Sequence, residues 1–221
     1  ESLAGRVALL NLFGLSDEEK KIRDATPLDY FTEMLRSGFP RLQRTKDPAA
    51  IELYLASYVK TYVERDVREL LNVGKSREFE TFIEMCALRT AQIVNYEDLA
   101  RDVGVSGRTI KDWLAVLEQS FVLELVHPYA TNRTKRLIKS PKLYFLDAGL
   151  AAHLGGWRDP RQALYGPMAG ALFETHVASE LLKYGRNRAR EVELTFWRTR
   201  DGQEIDFLVE HTSFETANAR A

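Results

Sequence analysis

Residues 95–120 constrain the fold more than any other stretch. Ala100, Gly104, Ile110 and Trp113 stand at the intervals of a helix-turn-helix. Asn95 is placed to cap the first helix and Ser106 the second, because a short side-chain oxygen satisfies the free N–H groups of a first turn. Ala100 is small enough for the second helix to approach, and Gly104 tolerates the left-handed backbone of the turn. Val105, Ile110, Trp113, Leu114 and Leu117 supply the shared core, while Arg108 and Lys111 face outward beside Asp112 and Glu118.

The chain that follows extends this unit. Residues 121–126 are strand-like, and a second strand-like run begins near Lys142 and closes at Phe145. This order predicts a winged helix whose wing, residues 133–142, carries Arg133, Lys135, Arg136, Lys139 and Lys142 and no acid. Clustered cations are what phosphate contact requires. The expected DNA-contacting residues are therefore Arg108, Lys111, Arg133, Lys135, Arg136 and Lys139. The competing reading is a protein-docking module with a solvated basic loop. Lys+Arg total 31 and Asp+Glu 32, a formal net charge of -1, so any nucleic-acid surface must be local rather than global.

Upstream, Leu28, Phe31 and Leu35 mark a helix over 28–36. Asp47-Pro48 opens a longer one, with Ile51, Leu55, Tyr58, Tyr62, Val63 and Val67 at helical spacing to about Leu71; its tyrosines and charges read as amphipathic packing. A further helix runs from Ser76 to about Thr90. It carries Cys86, the only cysteine, in apolar surroundings that suit a buried core residue and leave no disulfide or thiolate zinc cluster. Gly74-Lys75-Ser76 imitates the end of a phosphate-binding loop, but Glu69 stands where the first glycine belongs. Leu143-Tyr144-Phe145-Leu146-Asp147 imitates the strand that ends in a metal-binding aspartate and is read instead as a core strand. This chain alone is not expected to hydrolyse ATP. It has no run long and apolar enough to span a membrane and no secretory signal, which predicts a cytoplasmic protein with no membrane partner.

Near the end, residues 170–182 have helical spacing at Leu172, Phe173, Val177 and Leu181 and carry Glu174 early in the helix. Residues 192–197 and 204–210 alternate as strands joined by Arg200-Asp201-Gly202, a hairpin signal. Glu204, Asp206 and Glu210 share one face of the second strand, and Ile205, Phe207 and Val209 the other. A helix glutamate followed by a hairpin aspartate is the beginning of a restriction-endonuclease-type Mg²⁺ site, so Glu174 and Asp206 are the candidate catalytic pair. That site also needs a lysine to orient water, and none follows Asp206. The expectation is an inert nuclease-like module, with Mg²⁺-dependent cleavage as the alternative. The histidines His127, His153, His176 and His211 show no ligand spacing, so no transition-metal site is expected.

The ordered series Ser2-Leu3-Ala4-Gly5-Arg6-Val7, Gly38-Phe39-Pro40, residues 58–67, the helix-turn-helix, residues 139–150, Gly170-Ala171-Leu172-Phe173-Glu174 and Phe196-Trp197-Arg198-Thr199 with Glu204-Ile205-Asp206-Phe207 resembles a known family. It is similar to the C-terminal part of uncharacterised prokaryotic AAA-type ATPases that carry a domain-of-unknown-function module. The resemblance implies a P-loop ATPase domain before Glu1 that uses ATP and Mg²⁺, with Arg6 near its sensor or arginine-finger region; no cofactor is expected in this chain itself. It implies partners in DNA and in that ATPase domain, and leaves oligomerisation open. The expected fold is mainly α with small β elements: a remnant of the ATPase domain over 1–24, a helical bundle over 25–92, a winged helix-turn-helix over 93–150, and an incomplete α/β restriction-endonuclease-like module over 151–221.

Overall fold

The computed structural model describes residues 12–67, 76–130, 139–188, 191–199 and 201–212. The protein is mainly helical with a small five-stranded mixed sheet. Among the described residues no helix is long and apolar enough to cross a membrane.

The first helices begin where their caps dictate. Helix α1 (Asp17–Lys20) and helix α2 (Pro27–Leu35) both open with capping boxes, Ser16 with Glu19 and Thr26 with Asp29. A 3₁₀ turn (Pro40–Arg44) leads to α3 (Pro48–Tyr58), where Asp47 accepts the Ala49 N–H and Pro48 fills the first position. The helix expected to run on to about Leu71 changes form at Val59 and continues as a π-helical segment, Val59–Val67. β-branched and aromatic residues crowd this stretch, which weakens the α-helical preference, and Val59 and Val63 are drawn into the core.

Helix α4 (Ser76–Leu88) buries Phe79, Phe82, Ile83, Cys86 and Ala87. Both phenylalanines pack on the Trp113 ring at 5.2 Å, joining α4 to the pair α5 (Tyr96–Val103) and α6 (Gly107–Gln119). Asn95 accepts the Glu97 and Asp98 N–H groups and Ser106 that of Thr109, while Gly104 turns the chain at φ +81°. These are the caps and the turn that the sequence implies. Gly74 and Lys75 lie outside the described residues.

Strand β1 (Gln92–Ile93) pairs antiparallel with β3 (Lys142–Phe145), and β3 pairs antiparallel with β2 (Leu123–Pro128). Helices α7 (Ala148–Leu154), α8 (Pro160–Tyr165) and α9 (Ala169–Arg186) follow, then the hairpin β4 (Glu191–Arg198) and β5 (Glu204–Thr212). His127 and Pro128 pair in parallel with Thr195 and Phe196, so the hairpin extends the same sheet in the order β1-β3-β2-β4-β5.

Strand β3 is buried on both faces. Leu143 and Phe145 enter the helical core, whereas Tyr144 and Leu146 enter a second cluster with Val126, Ala178, Leu182, Leu194 and Phe196 beneath α9. That double burial explains why the strand reads as an unbroken apolar run. Asp147 is a structural residue: its carboxylate accepts the Leu150 N–H at the start of α7 and also holds the Ser37 hydroxyl at 2.6 Å and the Gly38 N–H at 2.8 Å.

Candidate functional site

The second core cluster is capped by an ionic constellation at one end of the sheet. β3 contributes Lys142 and Tyr144, α9 contributes Glu174, and β5 contributes Glu204 and Asp206. The Lys142 ammonium donates to Glu174 at 3.0 Å and Asp206 at 3.2 Å, and pairs with Glu204. It also lies 5.5 Å from the centre of the Phe196 ring. The Tyr144 hydroxyl donates to the same Glu174 oxygen at 2.5 Å, and the Tyr144 ring packs on Phe207.

The structure therefore brings the expected pair Glu174 and Asp206 to one cation and adds Glu204 to them. The Lys142 side chain is only 5% exposed, whereas that of Asp206 is 54% exposed, so the site is dry at the lysine and open at the hairpin. Burial would depress the Lys142 pKa, but the hydrogen bonds it donates to Glu204 and Glu174 outweigh that and raise it. Burial, together with the neighbouring Glu174 carboxylate, raises the Tyr144 phenol as well. The Arg198 guanidinium also pairs with Glu204 at 3.7 Å, so two cations face three carboxylates and the excess of negative charge favours a further cation over an anion.

Lys142 corrects the sequence reading. Counted there with the basic loop, it is turned inward, and it supplies the ammonium that no residue after Asp206 provides. The signal was available: a lysine two positions before a tyrosine, in a strand otherwise wholly apolar, must meet a buried partner.

Among the expected DNA-contacting residues, Arg108, Lys111 and Lys139 are exposed. Lys111 stands 5.1 Å over the Tyr96 ring, and the acidic Asp112 is exposed beside it. Arg133, Lys135 and Arg136, and Arg6 at the other end, lie outside the described residues.

A second polar network locks the N-terminal segment onto α9. Asp17 accepts from the Tyr30 hydroxyl at 2.9 Å, pairs with His176 at 2.8 Å and meets the Lys20 ammonium at 3.3 Å. The Asp17 N–H donates to Glu180, which also accepts from Lys183. Asp17, His176 and Glu180 bring one potential metal-ligand atom each within 4.8 Å of one another. The ammonium groups of Lys20 and Lys183 already neutralise those carboxylates, so the geometry is that of an internal salt link. Burial alone would raise the Asp17 carboxyl, but the hydrogen bond and charge of His176 hold it well below the usual carboxylate range. The buried side of α9 also differs from the one its apolar spacing predicts. Thr175, His176, Ser179 and Lys183 are covered, while Phe173, which the sequence places on the apolar stripe, is exposed.

Comparison with known proteins divides the chain near the start of α9. Residues 169–215 match the domain of unknown function DUF4143. Two curated relatives are each 30% identical over 210 residues: "Uncharacterized protein Mb2031c" of Mycobacterium bovis and "Uncharacterized protein Rv2008c" of Mycobacterium tuberculosis. Each match covers 95% of this chain and 46% of the relative, so the chain spans about half the length of the curated relatives it matches. No solved structure matches the chain. The ionic constellation crosses the division, with Lys142 and Tyr144 on one side and Glu174, Glu204 and Asp206 on the other. Residues 28–161, from α2 to the start of α8, match the domain of unknown function DUF8612, and the chain belongs to that family.

Proposed function

We propose that this chain is the DNA-contacting C-terminal region of an AAA-type ATPase whose ATP- and Mg²⁺-using domain lies outside the sequence, and that the chain does not itself hydrolyse ATP. The observation that carries the reading is the element order α4-β1-α5-α6-β2-β3 with sheet order β1-β3-β2, which supports reading this part of the chain as a winged helix. In such a unit the N-terminal part of the second helix of the pair enters the major groove. Arg108 and Lys111 occupy that part of α6 and are exposed, and Lys139 is exposed just before β3. Support for a larger parent comes from the relatives, more than half of whose length lies outside the match.

The test is fluorescence anisotropy of the chain with labelled duplex DNA across a salt series, beside the variant Arg108→Ala/Lys111→Ala/Lys139→Ala. Binding weakens as salt rises, and the variant lowers the slope of log affinity against log salt by about 0.9 for each phosphate that is no longer neutralised. Equal binding by both proteins, or none by either at low salt, overturns the reading and leaves a protein-docking module.

A second reading rests on the constellation: Glu174, Glu204 and Asp206 as Mg²⁺ ligands, with Lys142 as the group that orients water. It predicts cleavage of DNA with Mg²⁺ or Mn²⁺ that is abolished in Asp206→Asn. Uncut DNA removes it.

A further inference from the structure

A groove runs between the 3₁₀ turn Pro40–Arg44 and helix α3, on a part of the molecule separate from the α5–α6 pair. Its volume is about 1040 Å³. That is at or beyond the upper end of the roughly 300–1,000 Å³ of small-molecule pockets. Pro40, Arg41, Arg44, Leu53, Tyr54 and Tyr58 form most of its wall, and no carboxylate among the described residues lines it. Leu53 is 70% exposed although it is fully apolar. Arg41 and Arg44 are exposed, and neither has an ion-pair partner among the described residues.

The rings of the groove are held in place from behind. Phe39 packs on Tyr54 at 5.5 Å and on Tyr58 at 4.6 Å, and Tyr58 packs on Tyr62 at 5.2 Å. The Tyr62 hydroxyl donates to the Ser120 carbonyl at 3.0 Å and ties the ladder to the end of α6. The Arg41 guanidinium lies 5.9 Å from the centre of the Tyr54 ring. Ser57 and Thr61 donate their hydroxyls to carbonyls of the preceding turn, Leu53 and Ser57, so these two hydroxyls are already engaged within α3 and the segment that continues it.

We propose that this groove binds single-stranded nucleic acid, with bases stacking against Tyr54 and Leu53 and backbone phosphates meeting Arg41 and Arg44. Preorganised aromatic rings with adjoining guanidinium groups are the combination that grips unpaired strands without reading sequence. Rings fixed by their own packing lose little entropy on binding, and Arg41 beside Tyr54 offers both a flat surface and a charge. The site is independent of the duplex-binding reading above.

The experiment measures anisotropy of the full chain with a short fluorescein-labelled oligothymidine and, in parallel, with labelled duplex. Arg41→Ala/Arg44→Ala changes only exposed side chains; it removes most of the oligothymidine affinity and lowers the salt slope by about 1.4, or about 0.7 for each of two phosphates. Tyr54→Ala weakens oligothymidine binding about tenfold and Tyr54→Phe retains it, because stacking needs the ring and not the hydroxyl. Circular dichroism verifies that each variant folds. Duplex affinity stays unchanged in all three, whereas Arg108→Ala/Lys111→Ala/Lys139→Ala lowers duplex affinity and spares the oligothymidine. The proposal is overturned if the wild-type chain does not bind oligothymidine, or if Arg41→Ala/Arg44→Ala binds it as the wild type does. It is also overturned if only the α6 variant fails to bind it, or if the groove takes an acidic, phenylalanine-containing peptide and no oligothymidine.

Discussion

The Lys142 ammonium and the Glu174 carboxylate meet at 3.0 Å across the boundary between the two matched family regions. One comes from a central strand and the other from the helix that covers it. A buried lysine is tolerated only with such a partner, so the pairing couples the two regions energetically.

Lys142→Met leaves three carboxylates facing one another around an uncharged side chain. The expected loss of stability is about 3 kcal/mol, toward the low end for a broken buried pair because Asp206 is half exposed to water. Glu174→Gln added to Lys142→Met recovers part of it. The raised pKa of Lys142 gives the sign of the pH dependence: its contribution is complete below the ordinary lysine value of about 10.4 and is lost as pH rises through the higher folded value. Thermal melts of the three proteins from neutral to alkaline pH check this, and equal melting of wild type and Lys142→Met would refute it.

The Asp17 carboxyl, held low by His176 and Lys20 against its own burial, stabilises the fold in the opposite sense. Its contribution is present above the unfolded value of about 3.9 and disappears as pH falls through the lower folded value. Asp17→Asn is accordingly less stable than wild type at neutral pH, and the gap narrows steadily in acid. Parallel melts at neutral and strongly acidic pH measure it; a gap of constant width contradicts the salt link.

Gly149 allows α7 to lie directly against the end of α2. A Cβ there meets the Met34 carbonyl oxygen and the Ser37 nitrogen at 2.8 Å, both of them backbone atoms. Gly149→Ala forces the helices apart and costs about 1–3 kcal/mol. Gly104→Ala, where a Cβ meets nothing but φ is +81°, costs about 1–2 kcal/mol from backbone strain alone. Denaturant unfolding of both variants reads these costs, and a neutral Gly149→Ala would show that the helices can separate freely.

Cys86 is fully buried and its thiol is pushed up by burial. It resists thiol-directed reagents in the native protein and reacts fully once the chain is unfolded in denaturant. Rapid labelling under native conditions would mean that α4 opens locally.

The parts of this protein that its sequence alone determined are those governed by near neighbours along the chain. Asn95, Gly104 and Ser106 set the α5–α6 turn because capping and left-handed turns act over a few residues. Asp47-Pro48 opens α3 and Gly202 closes the β4–β5 hairpin for the same reason. The alternation of 204–210 likewise placed Glu204 and Asp206 on one side of a strand.

Tertiary structure decided what depends on pairing across distance. Lys142 belongs by sequence to a basic loop, and only the position of β3 between β1 and β2, beneath α9, turns it onto Glu174, Glu204 and Asp206. The buried side of α9 was settled in the same way. Its polar residues are covered because distant partners reach them, Asp17 for His176, Thr90 for Thr175 and the Leu146 carbonyl for Ser179, while the apolar Phe173 is left outside. Periodicity reports how apolar each face of a helix is, but it carries no record of which partners the rest of the chain will bring, and a buried charge is stable only once those partners are in place.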